Sequence, residues 1–369
     1  MNAAVVRTLT SAVWTMSNKG RVVIGMSGGV DSSVAAALLK DDGYDVIGVT
    51  MRLWDGNGVC GSSEASDDAH RVCDMLGIKH CVSDMRDVFS KFVIDYFVSE
   101  YVSGKTPNPC IACNKFLKFD AMVEEAEKLN ADFIATGHYA KIEYDKKSKR
   151  FLLKSVSSSK DQTYVLYNLT QTQLSRLLLP LGGFKDKDEV RRYAENRGLV
   201  TANKPDSQEI CFIPDNDYSA FIERQTGIAP SEGNFVDTDG NVLGRHKGIV
   251  NYTVGQRKGL GIAFGEPMFV IRIDAEKNEV VLGRQGSEFS ESLYAENPNF
   301  IAFDTPPTSF EAQAKIRYSA KPACCTVTVC GNRLFVKFDA PQRAVTPGQA
   351  VVFYNDDTVI GGATIIQKG

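Results

Sequence analysis

Residues 21–26, RVVIGM, form a short apolar run rich in β-branched side chains. A glycine-rich turn follows, then DSSVAAALLKDDG (31–43), whose apolar positions recur at helical spacing up to a glycine stop, then a second apolar run, YDVIGVTM (44–51). Strand, turn, helix and strand in that order predict a βαβ unit. The rhythm continues with a helix over 66–76 closed by Gly77, a strand over 79–85, helices over 88–102 and 114–129, and the strand DFIATGH (132–138). The expected fold class is therefore α/β, an open, mostly parallel sheet with helices on both faces that takes its ligand at the carboxyl ends of the strands.

From about Asp206 the pattern changes. One short helix, YSAFIERQTG (218–227), precedes glycine-bounded segments with alternating apolar positions at 248–262, 268–274 and 279–283, which predict a small β-rich domain. After GRQGSEFSESLY (283–294), the strings EAQAKIRYS, CCTVTVCG, RLFVKFDA and QAVVFYNDDTVIGGATII alternate with period two, as in a small barrel or sandwich. The expected domains are a disordered extension at 1–19, a catalytic α/β domain at 20–205, a central β-rich domain at 206–284 and a C-terminal β-barrel at 285–369. No internal repeat, heptad or low-complexity tract is visible.

Composition narrows the class without naming a function. A chain of 369 residues with 43% hydrophobic residues can bury more than one core. The net charge of −3 argues against a basic surface throughout, yet permits a local patch for a nucleic acid. Nine scattered cysteines, no apolar run of membrane-spanning length and no secretory pattern favour a reducing compartment, the cytoplasm, and no membrane. The first twenty residues hold no acid, carry Arg7 and several hydroxyls, and would also suit a weak organelle-targeting peptide. Met16, just ahead of the first strand, would fit a start site assigned too far upstream.

The turn GMSGGVDSS (25–33) joins the first strand to the first helix. A glycine-rich turn feeding a helix presents backbone N–H groups and the positive end of the helix dipole, which suits a phosphate. It is neither a Walker A loop nor a dinucleotide turn. The string Ser-Gly-Gly-Val-Asp-Ser resembles the signature of the PP-loop ATP pyrophosphatases, which cleave ATP between the α and β phosphates and adenylate an oxygen of a second substrate. That resemblance implies ATP binding by Gly25, Met26, Ser27, Gly28, Gly29, Val30, Asp31 and Ser32, with Ser33 as a further hydroxyl and Asp31 helping to hold Mg²⁺.

A Cys-x-x-Cys pair, Cys110 and Cys113, sits in TPNPCIACNKFLKF (106–119). Alone it would serve zinc, redox or iron–sulfur chemistry equally. The strings TMRLW, NPCIACNKFLKFD, TGHYA, KDQTY, DSQEICFI, GQRKGLG and PQRAVTPGQAVVFY, in that order, resemble the tRNA-specific 2-thiouridylases over nearly everything after about residue 20. The resemblance implies a sulfurtransferase that adenylates the C2 oxygen of the wobble uridine, position 34, and replaces it with sulfur. It implies that Cys113 attacks or resolves and Cys211 carries the persulfide, the two forming a disulfide pair. Met51 would contact adenine and Gly137 line the nucleotide pocket, while Asn108, Pro109 and Cys110 would frame the flipped base. His138, Lys160, Asp161, Gln162, Arg317, Tyr318 and Gln349 would contact tRNA, with Lys315, Lys321, Arg333, Lys337 and Arg343 adding positive charge to the same face. The expected partners are tRNAs for lysine, glutamate and glutamine and a sulfur-donor protein or sulfide, and the chain is expected to be a monomer.

This sequence departs from the family pattern at Cys110, where an Asp is expected. Cys110, Cys113 and Cys211 would then be three of the four thiolates of a [4Fe–4S] cluster with one open iron. The persulfide pair is the default reading and the cluster its rival. Cys60, Cys73, Cys81, Cys324, Cys325 and Cys330 are expected to be buried, reduced thiols without chemistry. Two other functions compete: a PP-loop pyrophosphatase with a small-molecule acceptor, which would not need Cys113 or Cys211, and a non-catalytic RNA-binding protein built on a metal knuckle, which would not need the phosphate loop.

Overall fold

The computed structural model describes residues 19–54, 62–205 and 210–369. The extension up to residue 18, Cys60 and the DSQE portion of DSQEICFI lie outside the described residues.

Strand β1 (Arg21–Gly25) is buried on both faces, as a parallel strand covered by helices must be. Val22 and Ile24 face one apolar cluster with helix α1 (Val30–Asp41) and helix α2 (Ser63–Leu76), whereas Val23 faces another with Phe119 and Met122. Strands β2 (Asp45–Arg52) and β3 (Lys79–Asp84) lie on one side of β1. Ser62 caps α2 through its side chain, and Gly77 ends it in the left-handed conformation. Two long helices follow, α3 (86–102) and α4 (109–128), each carrying a π-helical stretch, at 90–94 and at 114–121. Helix α4 starts five residues earlier than the sequence pattern predicts. Asn108 caps it and Pro109 takes its first turn, so the Cys-x-x-Cys pair is helical.

Strand β4 (Phe133–Ala135) pairs with β1 on the side opposite β2. The chain then makes a hairpin, β5 (Lys141–Asp145) and β6 (Arg150–Lys154), a short helix α5 (Gln171–Arg176), strand β7 (Leu177–Leu178) and helix α6 (Lys187–Asn196). The parallel sheet has the order β3-β2-β1-β4-β7. Its switch point lies between β1 and β4, where ligands of open α/β sheets bind.

The central region holds helix α7 (Tyr218–Thr226) and strands β8 (Gly233–Val236), β9 (Val242–His246), β10 (Met268–Asp274) and β11 (Glu279–Arg284), ordered β10-β11-β8-β9. The alternating segment 248–262 is no strand. A single 3₁₀ turn, Ile249–Asn251, leads into a loop in which Gly255, Gly259 and Gly261 have positive φ, and that breaks any ladder.

Strands β12 (Phe289–Phe300), β13 (Ser309–Lys315), β14 (Ala323–Cys330), β15 (Arg333–Arg343), β16 (Ala350–Asn355) and β17 (Thr358–Lys368) close into a six-stranded barrel, because β12 pairs with both β15 and β17. Bulges in β12, one of them around Asn297 and Pro298, bend it enough to reach both partners. The β5–β6 hairpin extends the barrel's sheet, with Lys154 opposite Thr358. The α/β domain and the barrel also share one apolar cluster, in which Val23, Ile134, Leu153 and Tyr164 pack with Ala350, Val352, Tyr354 and Val359. Of the cysteines expected to be buried, Cys73 and Cys325 are so, while Cys81, Cys324 and Cys330 are exposed at edges or on outward-facing strand positions.

Candidate active site

The loop 25–33 leaves the carboxyl end of β1 and enters α1 with no side-chain cap on the helix. Its first amide N–H groups therefore point outward from the sheet edge, as a phosphate site requires. Ser32 Oγ and Ser33 Oγ both donate to the Gly29 carbonyl, at 3.1 and 2.8 Å, and Ser32 Oγ accepts from the Ser27 amide at 3.3 Å. Thr50 Oγ1 on β2 donates to the Met26 carbonyl at 2.9 Å. Gly28 has φ +70°, and a Cβ there would sit 2.3 Å from the Ala65 carbonyl oxygen. Gly137, just past β4, packs against the start of α1 so closely that a Cβ would lie 2.8 Å from the Asp31 carbonyl carbon. The two ends that meet at the switch point thus touch backbone to backbone.

Asp31 is bound on both oxygens. The Tyr139 hydroxyl donates to Oδ1 at 2.6 Å, and Lys187 Nζ lies 2.5 Å from Oδ2. Lys187 comes from α6, 156 residues further along, and its side chain is only 13% exposed. Neither Tyr139 nor Lys187 was singled out from the sequence. TGHYA placed Tyr139 beside two candidate residues, but KDKDEVRR gives Lys187 the look of an ordinary solvated charge.

Helix α4 precedes the parallel strand β4 and runs against it, which brings its first turn to the same carboxyl edge as the phosphate loop. Asn108 Oδ1 accepts from the Cys110 amide at 3.1 Å, fixing that turn. Cys110 is exposed, and Cys113 and Cys211 are half-buried. Cys113, Cys211 and Met51 pack against one apolar cluster with Leu53, Phe89 and Phe212. Among the described residues no three His, Cys, Asp or Glu side chains converge as a metal site, so the three thiols do not fit an iron–sulfur cluster as they stand.

The chain before α4 is clamped by the other two domains. The Thr106 amide donates to the Pro347 carbonyl at 2.9 Å, and Gln349 Nε2 donates to the Thr106 carbonyl at 2.7 Å. Thr106 Oγ1 lies 3.5 Å from Thr253 Oγ1 of the central domain. Gln162 Oε1 accepts from the Tyr139 amide at 2.9 Å, which ties the loop 160–162 to the end of β4. Tyr318 Oη donates to the Asp161 carbonyl at 3.1 Å, and Lys315 Nζ lies 5.9 and 5.8 Å from the ring centres of Tyr164 and Tyr318. Burial first, then the Asp161 carboxylate and Cys110, pushes the Tyr318 phenol up, so Cys110 and Tyr318 lie within electrostatic reach of each other. Burial also pushes the Asp161 carboxyl up, against the pull of Thr163, the Val156 amide and Lys315.

Of the expected tRNA contacts, His138 is buried and Arg317 half-buried. His138 is 7% exposed, with Nδ1 2.8 Å from Thr136 Oγ1 and its ring beside Phe119. Burial, helped by Lys118, holds its imidazole well below the usual range. The Arg317 guanidinium spends one nitrogen on the Val254 and Ala344 carbonyls and Thr346 Oγ1, at 2.9, 3.1 and 2.6 Å.

Three family models match the chain in succession: a tRNA methyl transferase HUP domain over residues 20–215, a tRNA methyl transferase PRC-barrel domain over 219–284, and an aminomethyltransferase beta-barrel domain over 290–365. A tRNA-specific 2-thiouridylase MnmA 1 of Thermoanaerobacter sp. (strain X514) is 54% identical over 363 residues, spanning 96% of this chain and 100% of its own length. A tRNA-specific 2-thiouridylase MnmA of Clostridioides difficile (strain 630) is 54% identical over 356 residues, spanning 94% and 98%. A solved 4-thiouridine synthetase–RNA complex with bound ATP aligns with a TM-score of 0.35 at 18% identity, over 56% of this chain and 50% of that one, too loose a likeness to bear on function. With near-complete coverage at more than half identity, three domain matches in order and a phosphate loop at the switch point, this chain belongs to the family of tRNA-specific 2-thiouridylases.

Proposed function

We propose that this protein is an ATP-dependent sulfurtransferase that converts the wobble uridine of tRNA to 2-thiouridine. The observation that carries this reading is the meeting, at one carboxyl edge of the sheet, of a phosphate-accepting loop and a helix start bearing Cys110 and Cys113. The matching domain descriptions name methyl transfer, but a pyrophosphatase loop joined to two half-buried thiols suits adenylation followed by sulfur attack.

The uncapped amides of loop 25–33, with Ser27 and Ser32, would hold the triphosphate, Val30 and Met51 would border the adenosine, and Gly137 would keep the pocket wall close. Mg²⁺, held in part by Asp31, would offset the charge of the departing pyrophosphate. Asn108, Pro109 and Cys110 would frame the extruded uridine, whose O2 attacks the α-phosphorus and releases pyrophosphate. The terminal sulfur of a Cys211 persulfide then attacks C2, and AMP leaves with the C2–O bond. Attack by the Cys113 thiolate on the Cys211 sulfur frees the thiocarbonyl and leaves a Cys113–Cys211 disulfide, which an external dithiol reduces. The persulfide's outer sulfur is sulfane sulfur passed to the Cys211 thiolate from a donor protein's persulfide, which leaves as a thiolate, or comes from sulfide that attacks the Cys211 sulfur of the Cys113–Cys211 disulfide in place of the dithiol and releases the Cys113 thiolate, and the acceptors are tRNAs for lysine, glutamate and glutamine. Lys160, Asp161, Gln162, Tyr318 and Gln349 would shape the RNA-facing rim, with the buried His138 supporting it from behind.

Incubating the protein with unmodified tRNA, ATP, Mg²⁺ and a sulfur source, followed by nucleoside analysis, tests the reading. It requires 2-thiouridine and one AMP per thiolation, both lost in Cys113→Ser and Cys211→Ser. Pyrophosphate release without tRNA, unaffected by either change, would point to a small-molecule acceptor instead.

A further inference from the structure

The string GQRKGLG has no role in the chemistry above. It forms the loop 255–261 of the central domain, where a strand was expected, and its backbone is held at both ends. The Gly255 amide donates to the Val270 carbonyl at 2.7 Å, and the Val270 amide donates to the Gln256 carbonyl at 2.9 Å. Gln256 Oε1 accepts from the Thr253 amide at 3.0 Å, while Nε2 donates to the Lys258 carbonyl at 3.0 Å. Gly255 has φ +89°, and a Cβ there would meet Ala344 Cβ at 2.3 Å. Leu260 is buried in the central core, which pins the far side.

Between these anchors Arg257 and Lys258 are exposed, and among the described residues neither head group has a hydrogen-bond or ion-pair partner. Two long cations held side by side on a fixed backbone, in a chain of net charge −3, call for a local anionic partner. The loop's surroundings say which one. Thr253, at its base, touches Thr106 on the chain leading to Asn108, Pro109 and Cys110. The Arg317 guanidinium donates to the carbonyls of Val254, the neighbour of Gly255, and of Ala344, the residue Gly255 packs against. Arg343 lies over the Phe269 ring at 5.6 Å, next to Val270, and adds a third cation, shared with Glu288 at 3.8 Å.

We propose that Arg257 and Lys258 grip backbone phosphates of the tRNA beside the extruded uridine, and that Arg317 positions this loop from the barrel rather than touching RNA itself. The proposal rests on the thiolation reading for the identity of the polyanion. Phosphate contacts fix register without reading sequence, which is what an enzyme needs when it must set one base into a pocket across several tRNAs. Arg317 reaches the loop's base from the barrel through the Val254 carbonyl, while the Ala344 carbonyl and Thr346 Oγ1 fix the same nitrogen on the barrel side, so its removal would free the loop while leaving both cations in place.

The test is tRNA binding by the full chain as a function of salt concentration, with ATP affinity and thermal midpoint measured alongside. The double variant Arg257→Ala/Lys258→Ala should raise the tRNA Kd by about tenfold or more and flatten the slope of log K against log salt by about 2, with ATP affinity and thermal midpoint unchanged. Arg317→Gln alone should weaken tRNA binding, but added to the double variant it should leave the slope where it was. A further loss of about 1 in that background would mean that Arg317 touches a phosphate, overturning its positioning role. A double variant that binds tRNA like the wild type overturns the phosphate grip, including the case in which only transfer from an acidic sulfur-donor protein is lost. A wild type that binds no tRNA would remove the thiolation reading and this proposal with it.

Discussion

The ion pair between Asp31 and Lys187 sets the charge of the phosphate loop. With the Lys187 side chain 13% exposed, Asp31 can sit at the mouth of an anion site only because an ammonium lies 2.5 Å away. In Lys187→Met the carboxylate would face the triphosphate unopposed. ATP affinity measured calorimetrically without Mg²⁺ should fall by at least about tenfold, and the added change Asp31→Asn should recover part of it. His138 carries a pH dependence whose sign follows from its burial. Its folded-state pKa lies below the unfolded value of about 6.5, so the unfolded chain binds the proton more readily, and stability falls as pH drops below that value. One such group gives a slope of at most about 1.4 kcal/mol per pH unit. Denaturant titrations between pH 7 and 5 should show this acid slope, and His138→Gln should reduce it. The string TGHYA drew attention to His138, but only the surrounding helix shows that the ring lies under Phe119 rather than on the surface.

At the scale of elements, the start of α4 links local sequence to chemistry. Asn108 and Pro109 define the turn that carries Cys110 and Cys113. Asn108→Ala should cost about 1 kcal/mol of stability in chemical denaturation, and native-state hydrogen exchange at Cys110 and Ile111 should speed up together. Elements with a clear period were legible in the sequence. Strand β1 shows its apolar run because both faces are covered, and α2 shows both its stripe and its glycine stop. The β5–β6 hairpin was not legible, since Lys141, Glu143 and Tyr144 are exposed and the alternation that would mark a strand is absent. The opposite error arose at 248–262, where apolar residues alternate but glycines with positive φ make a loop. Loop 25–33 and the Cys-x-x-Cys helix could be located from contiguous strings. Lys187 could not, because its partner is fixed by the packing of α6 on α1, a contact between distant segments.

At the scale of the whole molecule, the α/β domain and the barrel are not independent bodies. Ala350, Val352, Tyr354 and Val359 complete a core that also holds Val23, Ile134 and Tyr164, and the Tyr164 hydroxyl donates to the Ala350 carbonyl at 2.8 Å. Scanning calorimetry should therefore show the α/β domain and the barrel melting in one transition. Two separated transitions, with the barrel retained in the second, would contradict the shared core. The same arrangement has a consequence for synthesis. Lys154 of the hairpin reaches Asp357, 203 residues later. At about 5–20 residues per second the ribosome needs roughly 10–40 s to deliver that partner. Throughout that interval the outer edge of β6 is an open template for a neighbouring nascent chain. The turn between β5 and β6 carries Lys146, Lys147 and Lys149, and Arg150 opens β6, a cluster whose mutual repulsion between copies discourages strand pairing until β17 emerges.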